Sequence, residues 1–196
     1  MQWDDRPRSV KQLYKRMQAQ AAPLGNRERR VFMQAVHNAI LAQFLPDGAY
    51  LKEGAALELA YPLREGRTSE DVDTVYADSA DLFEEALRTA LTDGWQGFGG
   101  EVERLPRRAF TLMPEGSGMT RLRVRLTYLE APFAKYYLEA VPDLTGAVRE
   151  RRMNAEAQAL IEGLGFRIHA ARDDGCRHPA RREAARRLAS GQDARA

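Results

Sequence analysis

Cysteine is nearly missing: Cys176 is the only one in 196 residues. That excludes an internal disulfide framework and any cysteine-based metal cluster. Lysine is confined to positions 11, 15, 52 and 135, so most of the 30 basic residues are arginine. Arginine's planar fork suits phosphate, but the same bias follows from GC-rich coding, which is the simpler reading. The net charge of +2 argues neither for nor against nucleic acid. No apolar run is long enough to cross a bilayer, and the polar start "MQWDDRPRSV" has no secretory pattern, so a cytoplasmic protein with no membrane partner is expected. No internal repeat, Walker loop or dinucleotide fingerprint is visible. His37, His169 and His178 stand too far apart in sequence to suggest a metal pair.

What is present suits one compact α+β domain, with 44% hydrophobic and 30% charged residues supporting both a core and a charged surface. "SVKQLYKRMQAQAA" carries a sparse stripe of Val10, Leu13 and Met17, which predicts a mostly exposed helix. Asn26 is placed to cap the next helix, where Phe32, Val36, Ala39, Ile40 and Phe44 repeat at helical spacing. "AYLKEG" predicts a short strand, "AALELAYPL" a helix ended by Pro62, and "DVDTVY" another strand. Ser79 should cap "ADLFEEALRTAL", with Leu82, Phe83, Ala86, Leu87, Ala90 and Leu91 as its apolar face. Asp81, Glu84 and Glu85 then read as a solvated cluster at a favourable dipole end. "DGWQGFGG" reads as a turn-rich connection to three extended segments. The middle one puts Arg121, Arg123 and Arg125 on one face and Leu122, Val124 and Leu126 on the other. Such an arginine row is more often the wet side of a sheet than a phosphate track. A helical pattern returns in "AVRERRMNAEAQALIEGLG" before an arginine-rich end. The expected organisation is an N-terminal helix over 1–26, a core over 27–147 and a helical segment over 148–196.

"REGRTSEDVDTVY" is the stretch that asks for chemistry. Side chains at i and i+2 of a strand share a face, so Asp71 and Asp73 can hold hard cations together. Glu139, in the alternating "KYYLEA", can join them from a neighbouring strand. Magnesium takes oxygen ligands and keeps waters that phosphate oxygens replace, and two such ions can hold both oxygens of an in-line phosphoryl displacement. Gly54 lets backbone approach a triphosphate, and the helix after it offers unpaired N–H groups. A lone D-x-D is weak, since aspartates near strand ends are about as often turn or cap residues. The upstream glycine and the downstream acid tip the balance toward a metal site.

The stretch "YLKEGAALELAYPLREGRTSEDVDTVY" resembles the opening of the AbiEii/AbiGii-type nucleotidyltransferase toxins, within the DNA polymerase β-like superfamily. "RLRVRLTYLEAPFAKYYLEAVP" is similar to that family's arginine-rich strand and its following acid. The resemblance implies a nucleotidyltransferase-like mixed β-sheet flanked by helices, with a small helical C-terminal segment. It implies Asp71, Asp73 and Glu139 as catalytic metal carboxylates for two Mg2+ ions, and Gly54, Lys52, Arg67 and Ser69 as nucleotide-binding positions. In related toxins the hydroxyl position of Ser69 is one the antitoxin can phosphorylate. The implied activity is transfer of a nucleotide from an NTP to a hydroxyl acceptor, an RNA such as a tRNA 3′ end, by the toxin of a toxin–antitoxin pair. Glu53 stands where the family has a glycine, Ala55 where many members have serine or threonine, and Ala157 where it has a lysine. These departures sustain an alternative, a catalytically weakened protein of the same fold acting by binding or regulation. An unrelated α+β binding domain is the third reading.

Overall fold

A computed structural model describes residues 5–51, 72–77, 79–106, 119–143 and 155–168. Ser9 opens α1 (Val10–Ala21) by accepting a hydrogen bond from the Gln12 N–H. Leu13, Met17 and Ala21 form its buried stripe, all fully enclosed, so this charged helix docks firmly on the core. In α2 (Asn26–Ala42) the cap falls one residue earlier than expected. Gly25 is the N-cap, and the Glu28 side chain accepts its N–H at 3.0 Å, a bond that holds the helix start without Asn26. The stripe of Phe32, Val36, Ala39, Ile40 and Phe44 is buried as its spacing predicts.

β1 (Ala49–Leu51) and β2 (Val72–Tyr76) follow, then α3 (Ala80–Asp93), capped by Ser79 accepting from the Leu82 N–H. Leu82 itself is 43% exposed, a correction to the expected apolar face, which narrows to Phe83, Leu87, Ala90 and Leu91. β3 (Phe98–Arg104) takes in the glycines assigned to a connection, so the turn shrinks to Gln96 and Gly97 between the bridged Trp95 and Phe98. β4 (Thr120–Tyr128), β5 (Ala131–Pro142) and α4 (Ala155–Gly163) complete the described elements. The expected helix over "AALELAYPL" lies outside the described residues.

The strands form one mixed sheet in the order β1-β2-β5-β4-β3. β2 and β5 run parallel; the other neighbours are antiparallel. The chain therefore is of the α+β class, its described residues forming a five-stranded mixed sheet flanked by helices. Leu122, Val124, Leu126, Tyr128, Leu138 and Ala140 face the same apolar cluster as the stripes of α1, α2 and α3 and Ile161 of α4. Among the described residues the helices thus cover one face, and charged side chains occupy the other.

Two local features carry measurable consequences. The two-residue loop joining β4 to β5 has positive φ at both Leu129 (48°) and Glu130 (65°), the requirement of a tight hairpin turn that Asn-Gly meets best. Leu129 is 49% exposed, so little packing is at stake. Leu129→Asn with Glu130→Gly is expected to stabilise the fold by about 1 kcal/mol, seen as a higher urea midpoint with unchanged slope.

The second feature is His37, whose half-buried ring lies edge-on to Tyr14, Phe133 and Tyr136. Its Nε2 is enclosed with no hydrogen-bond partner among the described residues, and burial pushes its pKa down from 6.5 to about 4. The folded state then binds this proton less readily than the unfolded chain. Its contribution is fully present above pH 6.5 and is lost as pH falls toward 4. Urea midpoints should drop by the equivalent of on the order of 1 kcal/mol between pH 7.5 and 5.5, before most carboxylates titrate. His37→Leu should flatten that dependence; an equal slope in both proteins would refute the assignment.

Candidate functional site

The sheet face turned away from the described helices holds the charged residues that the alternation of β4 and β5 predicts. In the parallel pairing of β2 with β5, Asp73 stands opposite Glu139. In the antiparallel pairing of β5 with β4, Glu139 stands opposite Arg121. Asp73, Glu139 and Arg121 therefore form one row across the three strands. Neighbouring strands lie about 4.8 Å apart, so this register sets Asp73 and Glu139 side by side on one face. Both are half-buried.

Arg121 Nε meets Glu139 Oε1 at 2.9 Å, with the two side chains 19% and 30% exposed. The other arginines of β4 are also paired. Arg123 bonds Glu103, and Arg125 bonds Glu101 and lies 3.7 Å from Glu103. These acids come from β3, where Glu101 is in register with Arg125 and Glu103 with Arg123. Among the described residues Arg121, Arg123, Arg125 and Lys135 are offset by Asp73, Glu101, Glu103 and Glu139. The face is charge-balanced, which favours the wet-sheet reading of the arginine row over a bare phosphate track.

Tyr137 lies on the same face between Lys135 and Glu139, opposite Arg123. The neighbouring Lys135 ammonium, 5.2 Å from the ring centroid, holds its phenol below the ordinary range. The acids at the start of α3 are not merely solvated. Arg104 donates to Asp81 Oδ1 at 2.6 Å and to Glu84 Oε2 at 2.5 Å, clamping α3 to the end of β3. Glu84 also takes Arg88 one turn on, so it is structural.

Of the residues singled out from sequence, Asp73 and Glu139 are brought together. Asp71, Lys52, Gly54, Arg67 and Ser69 lie outside the described residues. Among the described residues no group of three or more histidine, cysteine or carboxylate side chains is placed to hold a metal. The Asp73–Glu139 pair supplies hard oxygen donors of the kind Mg2+ takes, and Mg2+ completes its shell with water and phosphate. The residues present thus fit the ion in donor chemistry. Sequence reasoning missed the pairing of Arg121 with Glu139, although the alternation already put each on a shared-face register.

No protein-family model matches the sequence, and no curated protein matches it. Among solved structures the chain is similar to MenT4, a nucleotidyltransferase toxin from Mycobacterium tuberculosis H37Rv. The two share 17% identity at a TM-score of 0.36, over 69% of this chain. The chain spans 44% of the length of MenT4. No described helix is long and apolar enough to cross a membrane.

Proposed function

We propose that this protein is a metal-dependent nucleotidyltransferase that moves a nucleotide from an NTP to a hydroxyl acceptor and releases pyrophosphate. The observation that carries the reading is the in-register Asp73 and Glu139 on the charged face of the sheet. The D-x-D spacing supports it by adding Asp71 to that set.

In this reading Asp71, Asp73 and Glu139 hold Mg2+, two ions in the full site. Bound there, the metal would neutralise charge on the phosphates and on the departing pyrophosphate. The protein's own part is placement. Half-buried carboxylates on a rigid sheet keep their geometry when substrate arrives, so little ordering remains to be done at the reaction step. Glu139 would join Asp71 and Asp73 at the metal and from there help orient the attacking hydroxyl. Lys52, Gly54, Arg67 and Ser69 would receive the triphosphate from the preceding segment. The acceptor is RNA, such as a tRNA 3′ end, and the setting is a toxin countered by a cognate antitoxin. These finer parts follow the AbiEii-type resemblance, since the charge-balanced face offers no electrostatic footprint of its own.

The test is incubation with each labelled NTP, Mg2+ and total RNA. Label on RNA that chelation of the metal abolishes supports the enzyme. Triphosphate bound without transfer would replace it with the binding-protein alternative, and silence in both measurements would leave neither.

A further inference from the structure

We infer that Arg121 is a positioning residue, its guanidinium holding the Glu139 carboxylate in the orientation that shares a divalent cation with Asp73. The inference rests on the metal-site reading above and deepens it. Three observations meet at this residue. Arg121 is the third member of the row that begins with Asp73 and Glu139, in register on the next strand. Its contact to Glu139 is made through Nε at 2.9 Å, the guanidinium nitrogen nearest the stem and the least free to wander. Among the described arginine–glutamate pairs across β3, β4 and β5 it is also the most shielded. Arg121 and Glu139 are 19% and 30% exposed, against 46% and 66% for Arg125 and Glu101. Water therefore competes least where the carboxylate has a task.

The length of the acid explains why a clamp is useful. A glutamate has one more rotatable bond than an aspartate, and a ligand that must be ordered when the ion arrives binds it more weakly. Pinning one oxygen removes that freedom in advance and leaves the other for the cation. The positive charge of Arg121 acts the opposite way, repelling a cation nearby. The two roles thus predict opposite signs when the residue is replaced: a positioning residue weakens metal binding on removal, whereas a mere counter-charge strengthens it.

The experiment is calorimetric titration of the full chain with Mn2+ alone. Arg121→Gln is expected to weaken Mn2+ binding by about 10- to 100-fold, the usual effect of removing a group that orients a metal ligand. Arg121→Lys keeps the charge but loses the Nε contact, so it should also weaken binding, and it provides a second variant if Arg121→Gln unfolds. In a Glu139→Asp background the shorter acid needs less holding, and Arg121→Gln should then cost less than about threefold. Unchanged or tighter Mn2+ binding in folded Arg121→Gln or Arg121→Lys overturns the inference and leaves the metal site standing. A parent protein that takes up no Mn2+ overturns the metal reading, and this inference with it.

Discussion

Asp73→Asn and Glu139→Gln are each expected to lower nucleotide transfer on the order of a thousandfold. In the proposed reading each removes one charge from a set that would hold cations against phosphate. A metal held there would supply several kcal/mol of transition-state charge stabilisation, at tenfold in rate per about 1.4 kcal/mol. Both replacements keep the shape of the side chain, so the sheet should close as before and thermal midpoints should stay within a few degrees. The two variants differ in one respect. Glu139→Gln also weakens the ion pair with Arg121, whereas Asp73→Asn leaves that contact intact. Transfer measured with labelled NTP and RNA, beside a melting curve for each protein, checks both halves. Activity within about tenfold of the parent in folded Asp73→Asn would remove the central claim, because a metal carboxylate cannot be so dispensable.

The largest expected loss of stability comes from a residue with no chemistry. A Cβ on Gly100 would stand 2.2 Å from the carbonyl oxygen of Arg125 and 3.2 Å from the Cα of Leu126. Both atoms are backbone of β4, the strand paired with β3 at this point, so no side chain can swing away to make room. Gly100→Ala must push the two strands apart or bend one of them. Overpacking of this kind costs about 3 kcal/mol or more when backbone is the obstacle. For a chain of this size that lowers the melting temperature by roughly 10 °C. Gly25→Ala is the control: its Cβ would meet only the Glu28 carboxylate at 3.6 Å, an ordinary contact. Because β4 carries Arg121, a strand displaced by Gly100→Ala should also lose metal affinity, in proportion to the disturbance of the Arg121–Glu139 pair.

The elements that could be read from sequence are those with a strong period and a local signal. Ser79 ahead of "ADLFEEALRTAL" opens α3 because its hydroxyl satisfies a local N–H, an interaction spanning only a few residues. Strict alternation in "TRLRVRL" specifies β4 and its two faces for the same local reason. Errors arose where a distant partner outweighs local preference. Gly99 and Gly100 look like turn residues, yet pairing with β4 draws them into β3. Glu84 looks like solvated helix surface, yet Arg104 from the far end of β3 closes over it.

The same division runs through the candidate site. Periodicity alone predicted that Asp71 and Asp73 share a strand face and that Glu139 can join that face from a neighbouring strand, because side-chain direction in a strand is a property of the local backbone; of these, Asp73 and Glu139 fall among the described residues. Composition alone removed cysteine clusters and disulfides from consideration. Only the tertiary structure decided that β2 and β5 lie side by side, in the register that sets Asp73 opposite Glu139 and Glu139 opposite Arg121. That choice belongs to the whole sheet, since register follows from burying the faces of β2, β5 and β4 against the helices together, and no single segment contains the information.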